Sequence, residues 1–538
     1  MPKPSFVAAL GLSLAFAAVA RADGALESPK LDTGAISGVL LQKDGALPVR
    51  AFKGIPYAAP PVGALRWRPP QPAPSWEGVR ACEAFGPACP QPKIPFVQLR
   101  ERQSEDCLYL NVWTGAREPG AKLPVMVWIH GGSLVFGSGA QEVYDGAALA
   151  RLGVVVVTIN YRLGPFGFLA HPALSQESPR RVSGNYGLLD QVAALEWVNR
   201  NIAAFGGDPG CVTIFGESAG GGSVQALLLS PLARGLFQRA IVQSAASVTQ
   251  PLRGGAAGAE SAEATGERFA AALGLSPEGD VLAALRARSE AELLACSDSQ
   301  PEAITPRGVR FGSCVDGWVL PDDPLALVAA GKQADVPLLI GTTADEGTLF
   351  VRDVRSRADV ARHLESAFGP AAPKVAAAYP IASDAEAQRV SARLLADAVF
   401  VAPTRAFVRA RPGFRSKAFL YTFTRVPFGA KVLGLGAHHG CELGYVFDTL
   451  DAPGSMGIQP ADRALARTVS GAWVRFARTG DPNGEGLPEW PAYTPENDAH
   501  FELGDEVRAG AGLRSAQCDL FDEVWAALRP KAAPKRWY

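Results

Sequence analysis

A chain of 538 residues with 48% hydrophobic and 20% charged residues has ample material for a packed core, which excludes a disordered protein. Its formal net charge of -1 provides no long-range field for nucleic acid or an anionic membrane, so neither is expected as a partner. The eight cysteines include no Cys-x-x-Cys pair, and neither a metal nor another cofactor is implied.

Met1 to Ala22 combines Lys3, an apolar run from Phe6 to Ala20 and the small-x-small triplet Ala20-Arg21-Ala22, the features of a secretory signal cleaved after Ala22. That run is short for a membrane span and no other stretch is long enough, so stable insertion is not expected. Residues 23–538 are expected to form one α/β domain with insertions, exported to the periplasm or the medium. Export places the cysteines in an oxidising compartment. Cys89 and Cys107 bracket one short loop, Cys296 and Cys314 another, and these are the two disulfides expected. Cys82, Cys211, Cys441 and Cys518 are left over, with Cys211 read as a buried free thiol. Oligomeric state is not legible.

In chain order, Gly34 to Leu41 and Val49 to Pro56 alternate as short antiparallel edge strands, joined near Asp44-Gly45. The prolines between Pro56 and Pro95 predict a long ordered surface loop, after which order resumes at Cys107 to Trp113. Val125 to Ile129 and Val154 to Ile159 are β-branched runs of the kind buried on both faces, with a short helix, Gly146 to Leu152, between them. Leu188, Val192, Leu195, Val198 and Ile202 recur at helical spacing over Gly187 to Phe205. Further strands are expected at Cys211 to Phe215, Ala240 to Gln243, Val336 to Gly341 and Ala418 to Phe423. The helical segments Ala256 to Ser297 and Val354 to Arg411 are candidates for a cap over the carboxyl edge of the sheet.

The stretch Ile214-Phe215-Gly216-Glu217-Ser218-Ala219-Gly220-Gly221 reads as strand, sharp turn, helix. A serine in such a turn is strained, with its hydroxyl clear of the backbone, and the flanking glycines avoid collisions across the turn. Ser218 is therefore a candidate nucleophile. A hydroxyl needs a base, and the base needs a partner that fixes its tautomer. Of six histidines, His130 begins the glycine-rich segment His130-Gly131-Gly132-Ser133 and belongs to an oxyanion loop. His171, His363 and His500 read as surface residues, which leaves His438 and His439 in the loop before Gly440. Glu346, just past the strand Val336 to Gly341, is the candidate acid, and Asp345 reads as a turn residue capping the next helix. Backbone N–H groups of Gly131, Gly132, Ser133 and Ala219 are candidate donors to a developing oxyanion.

With these motifs in view, the chain resembles the type-B carboxylesterases, a family of the α/β-hydrolase fold that includes cholinesterases, over nearly all of its mature length. The resemblance rests on Phe52 to Ala58, Ser104 to Val112, Gly184 to Gln191, Phe205 to Pro209 and Gly216 to Gly221. It implies a mostly parallel sheet flanked by helices, a triad of Ser218, Glu346 and His439, oxyanion donors Gly132, Ser133 and Ala219, and the N-terminal disulfide Cys89–Cys107. Ser133 stands where the family usually has glycine or alanine, Ala245 where glycine commonly follows Gln243-Ser244, and Cys296 and Cys314 do not fall clearly on the family's second disulfide.

The implied activity is hydrolysis of small-molecule esters of short to medium acyl chains through an acyl-enzyme. A base limb near a pKa of ~6–7 is expected if Glu346 shifts His439 only modestly. The competing reading is a non-catalytic binding or adhesion protein on the same scaffold, whose members lack triad residues. Choline esters are not expected: the loop from Pro90 to Asp106 has no tryptophan for a quaternary ammonium, and Phe96 is its only aromatic residue.

Overall fold

The computed structural model describes residues 28–94, 99–245, 249–254, 260–298, 308–351, 353–411, 413–452 and 457–528. The expected signal segment and Phe96 lie outside them.

The β-branched runs become the middle of an 11-stranded sheet. In chain order its strands are β1 (Val39–Leu41), β2 (Val49–Pro56), β3 (Tyr109–Thr114), β4 (Leu123–Ile129), β5 (Val155–Ile159), β6 (Gly207–Glu217), β7 (Arg239–Gln243), β8 (Leu338–Thr343), β9 (Ala418–Phe423), β10 (Ala499–Leu503) and β11 (Val507–Ala511). Their spatial order is β11-β10-β9-β8-β7-β6-β4-β5-β3-β2-β1. Every pair from β5 across to β10 is parallel. Antiparallel pairs close the two ends, as the short N-terminal strands predict for theirs. This is the α/β-hydrolase architecture.

Alternation along β4 shows why both faces must be apolar. Val125, Val127 and Ile129 join a core with helix α1 (Tyr186–Asn201) and helix α2 (Ala219–Leu229), whereas Met126 and Trp128 join a second core with helix α3 (Pro460–Thr479). Successive side chains of a strand point to opposite faces, so a strand sandwiched between helix layers carries a continuous apolar run. Helices α3 and α4 (Ser515–Leu528), and the hairpin β10–β11, add to what the sequence reading anticipates.

The segment read as a cap from Val354 to Arg411 is helical, with a π-helical turn at Ala396–Val401, and packs against α4 in a third core that includes Phe368, Val375, Phe521 and Val524. Between strands, the parallel topology sends each connection over a face and brings the next loop back to the same carboxyl edge. Ser218 follows β6, the glycine loop follows β4, Glu346 follows β8 and His439 follows β9 along that edge.

Candidate active site

Strand β6 ends at Glu217 and α2 begins at Ala219, so Ser218 alone makes the turn, at φ 57° and ψ -124°. A non-glycine residue held there is strained and persists only where its surroundings over-determine it. They do: the Ser218 N–H donates to the Gln243 carbonyl on neighbouring β7 at 2.9 Å. A Cβ on Gly216 would lie 2.6 Å from the Gly220 carbonyl, and one on Gly220 only 2.1 Å from the Ile129 carbonyl. Both glycines are required by close approach, as the motif predicts. Ser218 itself is partly exposed among buried neighbours.

Next to it, the loop after β4 bends through positive φ at Gly132 (102°), Ser133 (56°) and Leu134 (60°). Among the described residues, the N–H groups of Gly132, Ser133 and Ala219 have no protein acceptor. Backbone donors left unpaired beside a nucleophile suit a developing oxyanion. His130 is buried, its ring stacked on Tyr161 at 4.5 Å, and burial pushes its pKa down to about 4. Its Nδ1 lies 2.8 Å from the Gly131 carbonyl, so it shapes this loop and is not a base.

Glu346 is fully buried; one carboxylate oxygen accepts the Thr343 N–H at 2.7 Å, and the other meets Nδ1 of His439 at 2.5 Å. That contact distinguishes the two candidate histidines, since Nδ1 of His438 instead lies 2.9 Å from the His439 carbonyl. Asp345 holds the N-cap position of the short helix Glu346–Leu349, but its side chain is used elsewhere: its carboxylate accepts the Ala437 N–H at 2.8 Å, and its own N–H donates to the Ala437 carbonyl, which pins the loop carrying His439 to the end of β8. Phe350 and Phe400 pack on the His439 ring at centroid distances of 5.1 and 4.8 Å. The other ring nitrogen, Nε2, is buried and makes no hydrogen bond, although Glu217 Oε1 lies 3.1 Å from it.

Residues 27–521 match the sequence pattern of the carboxylesterase family. The chain belongs to that family. This carboxylesterase is 42% identical over 475 residues to para-nitrobenzyl esterase of Bacillus subtilis strain 168, covering 85% of this chain and 92% of that protein. It is 40% identical over 506 residues to fumonisin B1 esterase of Sphingopyxis macrogoltabida, covering 90% of this chain and 89% of that protein. A solved PNB esterase structure matches with a TM-score of 0.78 at 38% identity, covering 92% of this chain and all (100%) of that one. The carboxylesterase is thus a serine carboxylic ester hydrolase of small-molecule esters.

Its site holds two carboxylates that the sequence reading misses. Glu217 Oε1 lies 3.1 Å from His439 Nε2, and Glu442 accepts a hydrogen bond at 3.1 Å from Gln243, whose side-chain oxygen accepts in turn from Trp473 Nε1. Burial pushes Glu217 up to about 7, with His439 opposing, and burial pushes Glu442 up to about 8, reinforced by Glu217 and Glu346. Burial works to lower the pKa of His439, but Glu217 and Glu346 outweigh it and hold the imidazole up at about 9. The modest shift expected from Glu346 alone is corrected: a second carboxylate faces the ring. Glu217 stood in plain view inside the motif, and a carboxylate in an apolar strand costs too much desolvation to lack a role.

One other expectation is corrected. His171 is buried and caps the helix Pro172–Glu177, accepting the Ala173 N–H at 3.1 Å, and the helix Ala262–Ala272 packs beside it through Gly266 against Ala170. All eight cysteines are free thiols here, and those of Cys296 and Cys314 approach different carbonyls, Ala272 at 3.5 Å and Ser183 at 3.4 Å. Cys89 and Cys107 are also unbonded, but both are buried, and the neighbouring Cys89, with burial, holds the Cys107 thiol well above its ordinary pKa. Among the described residues no cluster of metal-ligating side chains occurs, and no helix is long and apolar enough to cross a membrane.

Proposed function

We propose that this carboxylesterase hydrolyses short to medium acyl esters through a Ser218-His439-Glu346 triad and an acyl-enzyme, after export and signal cleavage. The observation that carries the reading is the 2.5 Å contact between His439 Nδ1 and Glu346, at the same sheet edge as the strained Ser218. A carboxylate on Nδ1 fixes the proton there and leaves Nε2 as base. The Ser218 hydroxyl passes its proton to Nε2 as its oxygen attacks the ester carbonyl, and the N–H groups of Gly132, Ser133 and Ala219 receive the oxyanion. Imidazolium protonates the departing alkoxide, and water attacks the acyl-enzyme by the same proton path in reverse. Contacts of this kind tighten when substrate binds, which fits a Nε2 that makes no hydrogen bond to Ser218 in the resting site and faces Glu217 at 3.1 Å.

The relatives named for para-nitrobenzyl esters and for fumonisin B1 make bulky alcohol groups a sensible arm of any substrate panel. The neighbouring thiols of Cys89 and Cys107 support a disulfide in an oxidising compartment, and so support export. A non-catalytic binding role is disfavoured by a complete set of triad candidates. A serine-directed phosphonate is expected to label Ser218 alone, and Ser218→Ala is expected to abolish turnover while the protein stays folded. A folded alanine variant with near-native turnover overturns the assignment.

A further inference from the structure

Outside the residues described above, a cavity of about 340 Å³ is lined by residues from three separated stretches of chain and includes none of Ser218, Glu346, His439 or the oxyanion loop. Its size falls in the range of small-molecule sites. Trp67 and Trp318 supply aromatic faces, with Leu174, Leu189 and Val319 between them. Trp67 is buried in a strained conformation, at φ 58°, and its Nε1 donates to the Pro165 carbonyl at 2.8 Å. Strain in a bulky side chain persists where the surroundings impose it, and such residues gather at ligand sites.

The polar groups of this cavity are unequal. Asp316 is saturated: it accepts from the backbone N–H groups of Trp318, Val319 and Leu320 and from the side chain of Asn185. Glu177 is neutralised by two guanidiniums, Arg68 at 2.9 Å and Arg286 at 2.8 Å. Two groups remain uncommitted. Tyr186 is buried with its ring under Arg162 at 5.4 Å, and among the described residues its hydroxyl makes no hydrogen bond within the protein. Arg180 lies 5.5 Å over the ring of Trp318 and has no carboxylate partner among the described residues.

We infer that this cavity is a second ligand site, separate from the catalytic centre, for a small aromatic monocarboxylate. The flat apolar part fits between the tryptophans, the anion faces Arg180, and the Tyr186 hydroxyl remains free to hydrogen-bond a polar ligand atom. The inference does not rest on the triad, because none of its residues touches the cavity.

The test uses full-length mature protein with Ser218 blocked by a phosphonate, titrated with a naphthoate and followed by calorimetry and tryptophan fluorescence. One-site binding in the submillimolar range is expected, with loss of about tenfold in affinity for Arg180→Ala and for Trp318→Ala. Naphthylmethanol, the uncharged analogue, is expected to bind about tenfold more weakly than naphthoate and to be indifferent to Arg180→Ala. Arg180 is exposed, so its variant should fold even where the tryptophan variant does not. Absence of binding to the blocked protein, or affinity unchanged in Arg180→Ala, overturns the site.

Discussion

Glu217 Oε1 stands 3.1 Å from Nε2 of His439, one residue upstream of Ser218, which this nitrogen deprotonates in the mechanism proposed above. The base works unprotonated, and a facing carboxylate favours imidazolium. Activity should therefore rise with pH through an apparent pKa well above the ordinary 6.5 of histidine, toward the value of about 9 that Glu217 and Glu346 support. Glu217→Gln keeps the shape and removes the charge, so the limb should move to lower pH by roughly one unit. A pH–rate profile of kcat/KM decides it: an unmoved or upward-shifted limb refutes the coupling.

The neighbouring histidines should separate cleanly. His439→Gln is expected to remove the pH limb and reduce kcat by at least about 10⁴-fold, whereas His438→Gln should cost little, since its Nδ1 meets the His439 carbonyl and not Glu346. The reverse outcome identifies the wrong ring.

Gly220 has no room for a methyl group, because a Cβ there would lie 2.1 Å from the Ile129 carbonyl of a buried strand. Gly220→Ala should destabilise the fold by about 3 kcal/mol and displace Ser218, lowering kcat as well as the denaturation midpoint. Native-like thermal unfolding of that variant would mean that the turn relaxes freely.

Cys89 and Cys107 thiols are neighbours, so peptide mapping without reductant should find them joined in protein recovered from the periplasm or medium. Cys296 and Cys314 should be found unpaired with one another. Recovery of Cys89 and Cys107 as free thiols in exported protein would sink the bridge.

Ser133 adds a hydroxyl where the oxyanion loop meets the acyl side. Butyrate-length soluble esters should be hydrolysed faster than long-chain triglyceride emulsions, without a rate jump at the solubility limit. Rates measured across that limit test the expectation, and a jump there, or a preference for the emulsions, goes against it.

The sequence by itself determined the sheet, the elbow and the glycine loop. Each is a local pattern: β-branched runs must be buried on both faces, and Gly216 and Gly220 must flank a turn as tight as that of Ser218. Spacing along the chain also put Glu346 and a histidine at strand ends, where the parallel topology collects loops. The residues by themselves left His438 and His439 open, with the family resemblance pointing to His439; tertiary structure supplies the physical difference, because only the His439 ring meets Glu346 through Nδ1. Tertiary structure alone put the Asp345 carboxylate on Ala437, as the staple of the histidine loop. It also set Glu217 and Glu442 around the imidazole, since electrostatic coupling depends on distance through space and burial, and β6 and the loop after β9 are more than two hundred residues apart in the chain.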